Sequence, residues 1–197
     1  MLPYNTALTK GRVENIKAPP TEKWSEQDCL GRRNDLITEG LPTEHVGCDL
    51  FYSEPPFAPS GLKVFDARAK VHTTYVDLKK AFAAAHEEFG GPRVVICSQP
   101  LLKALQPPHT ETPVILNGDA VTAYGWGLEL PREKGMTNLQ LAKWLGQRYT
   151  RAIDPCCGYA VPLIYFKQER EGNTFVAADY DAHCITVARG LLLQGLE

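Results

Sequence analysis

Residues 48–57 read CDLFYSEPPF, an apolar run that stops at one carboxylate, two prolines and an aromatic ring. Proline has no N–H for a strand ladder and a fixed φ, so a central strand cannot pass through Pro55 and Pro56. The turn beyond Ser53 is therefore exposed at the strand's end. Glu54 and the nearby backbone carbonyls can accept the hydrogens of an amine. The two prolines stiffen the turn, and Phe57 offers a ring face to a flat partner. Such a slot suits an enzyme that holds a flipped-out base by its edge and face. By themselves the same residues fit equally a proline-terminated strand that buries Phe57.

A second group lies at residues 152–160, AIDPCCGYA, where Asp154 ends an apolar run and Gly158 sits in the turn before a helical stretch. Glycine lets a backbone approach a ligand closely, and a helix start offers N–H groups. Asp179 ends the next apolar run, 21 residues beyond Gly158. A carboxylate there is placed to hold the two hydroxyls of a ribose, as in dinucleotide sites. The full G-x-G-x-x-G fingerprint is absent, and Asp181 fits the role of a helix cap, so ordinary turn chemistry explains this group equally well.

The elements that must carry these groups follow from periodicity. Residues 1–40 mix Pro, Gly and charge with little period and read as an arm with a short helical piece, packed at least partly on the domain. After Glu44 a strand is expected through HVGCDLFYS, then a charged loop over residues 58–72. Tyr75, Leu78, Phe82, Ala85 and Phe89 recur at spacings of 3, 4, 3 and 4, one apolar stripe of a helix closed by Gly90-Gly91. RVVICS is a doubly buried strand, PLLKALQ a helical turn, and Asn117-Gly118 the turn of a hairpin. Thr137 and Gln140 have capping-box spacing for a helix through Tyr149. RAIDP ends a strand, a helix runs from Gly158 to about Arg170, TFVAADY is a strand, and Asp181 caps a last helix. Buried strands alternating with amphipathic helices predict an α/β sheet with helices on both faces.

Composition excludes several classes. The 197 residues suit one domain with a sizeable core, and 44% hydrophobic with 22% charged residues is an ordinary globular balance. No apolar run approaches the ~20 residues of a membrane helix. The polar first residues lack the apolar core of a secretory signal, so a cytoplasmic location is expected. The six cysteines form no C-x-x-C pair and are expected as reduced thiols, with no metal. A net charge of −2 means that any polyanion must meet a local patch. Two exist: Lys63, Arg68, Lys70 and His72 just after the opening motif, and Lys10, Arg12, Lys17, Lys23, Arg32 and Arg33 near the start. Each alone also fits a solvated face.

Together the segments resemble the DNA amino-methyltransferases, S-adenosylmethionine-dependent enzymes that modify adenine N6 or cytosine N4. Glu54-Pro55-Pro56-Phe57 resembles their catalytic motif of Asp, Asn or Ser followed by two prolines and an aromatic. Asp154-Pro155-Cys156-Cys157-Gly158-Tyr159-Ala160 resembles their cofactor motif Asp-Pro-Phe-x-Gly-Ser-Gly. The stretch KGMTNLQLAKWLGQRYTRAIDP is similar to the helix and strand that lead into that motif, TFVAADYDAHCITVARGLL to the stretch that supplies the ribose-binding acid, and DCLGRRNDLITEGLPTEHVGCDLF to the leader before the catalytic strand. The catalytic motif precedes the cofactor motif, the circularly permuted order of the β-like group.

The resemblance implies a single Rossmann-like methyltransferase domain, a mostly parallel sheet with a β-hairpin. After an arm at 1–40, a domain at 41–197 divides into a catalytic half, 41–131, and a cofactor half, 137–197. It implies S-adenosylmethionine as cofactor, with Asp154, Pro155, Cys156, Cys157 and Gly158 around the methionine end and Asp179 with Tyr180 at the ribose. Glu54, Pro55, Pro56 and Phe57 would form the base slot, Phe57 stacking on the ring. DNA, double- or single-stranded, would be the partner, met by Lys63, Arg68, Lys70 and His72; a homodimer stays open. Glu54 and Tyr159 depart from the family pattern. Only residues 131–136 separate the GWGLEL strand from the following helix, too few for a target-recognition insert, so low sequence specificity is expected. That economy resembles small phage- or mobile-element-borne methylases, a setting of restriction and modification. Two other readings stand beside this one: a non-catalytic relative that binds DNA or protein, and an enzyme acting on RNA or a protein side-chain amide.

Overall fold

The computed structural model describes residues 29–194. Of the basic arm residues, Lys10, Arg12, Lys17 and Lys23 lie outside the described residues. Seven strands form one sheet: β1 (Cys29–Arg33), β2 (Leu50–Ser53), β3 (Arg93–Ile96), β4 (Thr110–Leu116), β5 (Asp119–Trp126), β6 (Arg151–Asp154) and β7 (Thr174–Asp179). Their order across the sheet is β1-β7-β6-β2-β3-β5-β4. All pairs are parallel except β3 with β5 and β4 with β5. The sheet is thus mixed but mostly parallel, and β2 and β3 are buried along their whole length, Ser53 and Arg93 included, as central strands covered on both faces are.

Successive strand residues point to opposite faces. Leu50, Tyr52, Val94, Ile96, Ala152 and Phe175 pack into one core, while Phe51, Val95, Ile153 and Val176 pack into the other. The first core is completed by α5 (Asn138–Gly146), α6 (Val161–Gln168) and α7 (Ala182–Gln194). The second is covered by α1 (Leu36–Glu39), α3 (Tyr75–Phe89) and α4 (Gln99–Leu102). The remaining helix, α2 (Pro59–Ala69), comes directly after the Pro-Pro turn.

Local chemistry sets several boundaries. Thr74 caps α3 by accepting from Asp77 N, and Gly90 closes it at φ 66°. The hairpin turns through Asn117 at φ 54° and Gly118 at φ 88°, the left-handed pair that a two-residue turn of this hand requires. Thr137 and Gln140 form the expected reciprocal box, with Gln140 N to Thr137 Oγ1 at 3.1 Å and Thr137 N to Gln140 Oε1 at 2.8 Å.

Four expectations need correction. The strand expected after Glu44 is a 3-10 turn, Thr43–Gly47, and pairing starts only at Leu50. Residues 29–33, read as part of the arm, are strand β1, paired with β7 from Cys29↔Phe175 to Arg33↔Asp179. The loop expected at 58–72 is largely helix α2, started by Pro59 and closed by Lys70 at φ 57°. Its inward positions carry Leu62 and Asp66, both buried, so a carboxylate interrupts the apolar stripe that would have shown a helix. The helix after β6 begins at Val161 rather than Gly158, because Gly158 and Ala160 both take left-handed φ, 51° and 55°.

Candidate active site

Strands β6 and β2 lie side by side, yet the chain leaves β6 toward β7 and leaves β2 toward β3, in opposite directions. Such a switch opens a crevice at the carboxyl ends of the strands. Here it is a cleft of about 750 Å³ that reaches from the β1–α1 turn to the β4–β5 hairpin tip. Both motifs singled out in the sequence line it. One is the turn after β6, the other the turn after β2.

At the β6 end Asp154 is buried, and its Oδ1 accepts from Ser53 Oγ at 2.7 Å and from Cys156 N at 2.9 Å. Burial raises its carboxyl to about 8; the charges of Glu54 and Asp179 add to that, and the two hydrogen bonds oppose it. Gly158 donates its N–H to Asp179 Oδ2 at 2.9 Å, and Asp181 N donates to Asp179 Oδ1 at 2.9 Å. Asp179 therefore ties the Gly turn to the end of β7. A Cβ added at Gly158 would meet nothing within 4 Å, so the turn leaves open space there. Burial holds the thiols of Cys156 and Cys157 well above their usual range, so both stay protonated and act as apolar lining. Pro155 lines the same wall. Tyr159, half-buried, sets its ring edge-on to His183 at 6.2 Å and also borders the cleft.

Tyr180, next to Asp179, turns its hydroxyl to Asp66 Oδ1 at 3.0 Å, while Thr73 N donates to Asp66 Oδ2 at 2.8 Å. Burial and the Asp66 carboxylate raise that phenol. The inward carboxylate of α2 thus fastens the helix to Tyr180, just past the end of β7.

At the β2 end Glu54, Pro55, Pro56 and Phe57 form one wall, and residues 116–121 of the hairpin contribute the facing one. Glu54 Oε1 accepts from the hydroxyl of Tyr52 and from Asn138 Nδ2 at 2.9 Å. The Phe57 carbonyl accepts from Tyr75 Oη at 3.2 Å, and its side chain rests partly buried against the core.

Sequence reasoning missed the β1–α1 turn. Asn34 N donates to the Asp179 carbonyl at 3.0 Å, and Asp35 caps α1 by accepting from Ile37 N at 3.0 Å. Residues 34–37 therefore border the cleft beside Asp179. The available signal was Asp35 as a cap directly after the β1 segment. Of the basic patch, Lys63, Lys70 and His72 are exposed on α2 and just beyond it and do not line the cleft. The side chain of Arg68 lies outside what is described. Among the described lining residues there is no Lys, Arg or His, while Asp35, Glu54, Asp119, Asp154 and Asp179 are all acids, Asp154 held protonated at neutral pH by its burial.

No protein-family model matches the chain, and no curated protein matches it. Among solved structures it is similar to the crystal structure of M1.HpyAVI, at 12% identity and a TM-score of 0.50, over 85% of this chain and 100% of that one. A lesser likeness, TM-score 0.46 at 12% identity over 82% and 98%, is to the M1.HpyAVI–SAM complex. At that identity the likeness speaks for architecture: the chain has a Rossmann-like methyltransferase fold.

Proposed function

We infer that the protein transfers a methyl group from S-adenosylmethionine to the exocyclic amine of a DNA base, adenine N6 ahead of cytosine N4. The observation that carries this is the charge of the cleft. It lies at the switch point of a methyltransferase fold, and its described lining holds no basic side chain while Asp35, Glu54, Asp119 and Asp179 bring carboxylates. A pyrophosphate-bearing dinucleotide would face repulsion there, whereas a phosphate-free nucleoside with a sulfonium and an ammonium is attracted.

The residues present fit that cofactor. Gly158 leaves space at the turn, Asp179 stands at the end of β7 where ribose hydroxyls would be accepted, and Asp154, Pro155, Cys156 and Cys157 with Tyr180 complete a largely apolar wall. When bound, S-adenosylmethionine supplies an electrophilic methyl on sulfur. Glu54 would accept an N–H of the target amine, which aims the nitrogen's lone pair; as the N–C bond forms and the S–C bond breaks to leave a neutral thioether, the proton lost from nitrogen would pass by way of Glu54 to solvent. Pro55 and Pro56 fix the turn, and Phe57 stacks on the base. Positioning of this kind supplies most of the rate in a direct transfer. Lys63, Lys70 and His72, exposed outside the cleft, would meet phosphates, with Arg68 of the same segment proposed as a fourth contact. The GWGLEL strand expected from the sequence ends at Trp126, and the connection from there to α5, residues 127–137, is still short, which supports low sequence specificity. A cytoplasmic setting belongs to the same reading; among the described residues no helix is long and apolar enough to cross a membrane.

The double occupation of Glu54 Oε1 by Tyr52 and Asn138 favours a second reading, a non-catalytic relative in which Glu54 is a structural acceptor. Titration calorimetry tests the cofactor assignment. S-adenosylmethionine is expected to bind, Asp179→Ala to weaken it at least tenfold with the fold retained, and NAD to show no heat. Equal binding of NAD, or none of S-adenosylmethionine, would overturn the assignment.

A further inference from the structure

Glu54 raises a geometric problem for the proposed transfer, on which this inference rests. Its side chain is one methylene longer than Asp, so an unrestrained carboxylate would reach about 1.5 Å further into the slot. A misplacement of ~1 Å at a reacting centre can cost ~10²-fold in rate. The structure shows how the extra reach is taken up. Tyr52 lies two residues earlier, on β2, and its hydroxyl donates to Glu54 Oε1. From 84 residues away, Asn138 Nδ2 donates to that same oxygen at 2.9 Å. Both donors are buried, at 2% and 4% exposure, while Glu54 itself is half-buried at the cleft wall, so water does not compete for the donors' hydrogens.

Asn138 is itself held in place. It is the first residue of α5, directly after Thr137 of the Thr137–Gln140 capping box. Ile115 N donates to Met136 O at 2.9 Å, and Ile115 bridges to Thr137, which fixes the helix start to β4. The donor thus sits on a rigid corner shared by the hairpin and the helix.

We propose that Tyr52 and Asn138 are positioning residues that hold the carboxylate of Glu54 back against the β2 wall, so that Glu54 and Asn138 form a length-matched pair. The consequence runs against simple motif logic. Restoring the shorter acid by Glu54→Asp lowers activity, because Asp no longer reaches its two donors. Moving the methylene across the pair, Glu54→Asp with Asn138→Gln, restores reach.

The test compares wild type, Tyr52→Phe, Asn138→Ala, Glu54→Asp and the Glu54→Asp/Asn138→Gln double variant in methyl transfer to a DNA duplex. Thermal unfolding is recorded for each. Expected are kcat losses of tenfold or more in the three single variants, with KM for DNA and the Kd for S-adenosylmethionine within about twofold. The double variant should recover at least tenfold over Glu54→Asp. In parallel, the carboxyl carbon of Glu54 is followed by 13C NMR against pH, which needs no turnover. Loss of either donor should raise its titration midpoint, since both donors favour the charged form. Unchanged kcat and an unchanged midpoint would overturn the proposal, as would a double variant no better than Glu54→Asp. A wild type without turnover whose midpoint still shifts in Tyr52→Phe and Asn138→Ala would keep the clamp and remove the methyl-transfer reading.

Discussion

Asp154 takes a carboxyl into the interior with Ser53 Oγ and Cys156 N as donors to Oδ1, and burial lifts it to about 8 from an ordinary 3.8. The folded state therefore binds a proton that the unfolded chain releases between those values. Stability from this group is fully present below pH 3.8 and declines as pH rises through 8. Asp154→Asn keeps an acceptor for both hydrogen bonds without the charge. Its melting temperature is expected to fall less than that of wild type between about pH 5 and 8 and to lie above it at about pH 9. Parallel curves for the two proteins would contradict this account. At this scale the places of Glu54, Asp154 and Asp179 were legible because each stands at or just past the end of an apolar run. Asn138 was not: its tie to Glu54 joins residues 84 apart, and nothing in TNLQ distinguishes a capped helix start from a clamp.

Helices α5 and α6 approach through Gly146. A Cβ there would stand 2.4 Å from the Phe166 carbonyl oxygen, backbone that cannot yield as a side chain can. Asn173 Nδ2 seals the contact by donating to Gly146 O at 2.7 Å and to Phe166 O at 2.9 Å. Gly146→Ala is expected to destabilise by about 1–3 kcal/mol, the usual range for overpacking. For a chain of this size that is about 2–4 °C of melting temperature per kcal/mol; an unchanged melting curve would mean that the helices can separate freely. Elements with a strong local signature were readable: the α3 stripe, the α5 capping box, the Asn117-Gly118 hairpin. Those whose reason for existing lies elsewhere were not. Strand β1 is the segment CLGRR, poor in β-formers, paired at the sheet edge and fastened by Arg189 Nη2 to Gly31 O at 2.6 Å. Helix α2 faces inward with Asp66, whose partners Tyr180 and Thr73 are invisible in the local pattern.

On the scale of the whole molecule, β6 and β2 meet at the centre although the chain reaches β2 first and β6 about a hundred residues later, Leu50 pairing with Ala152. That adjacency brings the SEPPF turn and the DPCCG turn into one cleft, and Ser53 Oγ to Asp154 Oδ1 is the direct bond between them. The sequence reading placed both motifs at strand ends of one α/β sheet but not which strands are neighbours; the pairing joins residues about a hundred apart, which no local pattern shows. The uniform acidity of the described lining was not foretold; it needs Asp35 and Asp119 from opposite ends of the cleft. The central claim is that this acidic cleft carries a methyl from sulfur to the amine of a base. The measurement that tests it most directly uses labelled S-adenosylmethionine and unmodified DNA, single- and double-stranded, with the products digested to nucleosides and identified by mass spectrometry. Labelled N6-methyladenine, or N4-methylcytosine in its place, is the predicted result; no methylated nucleoside on either form of DNA would contradict it.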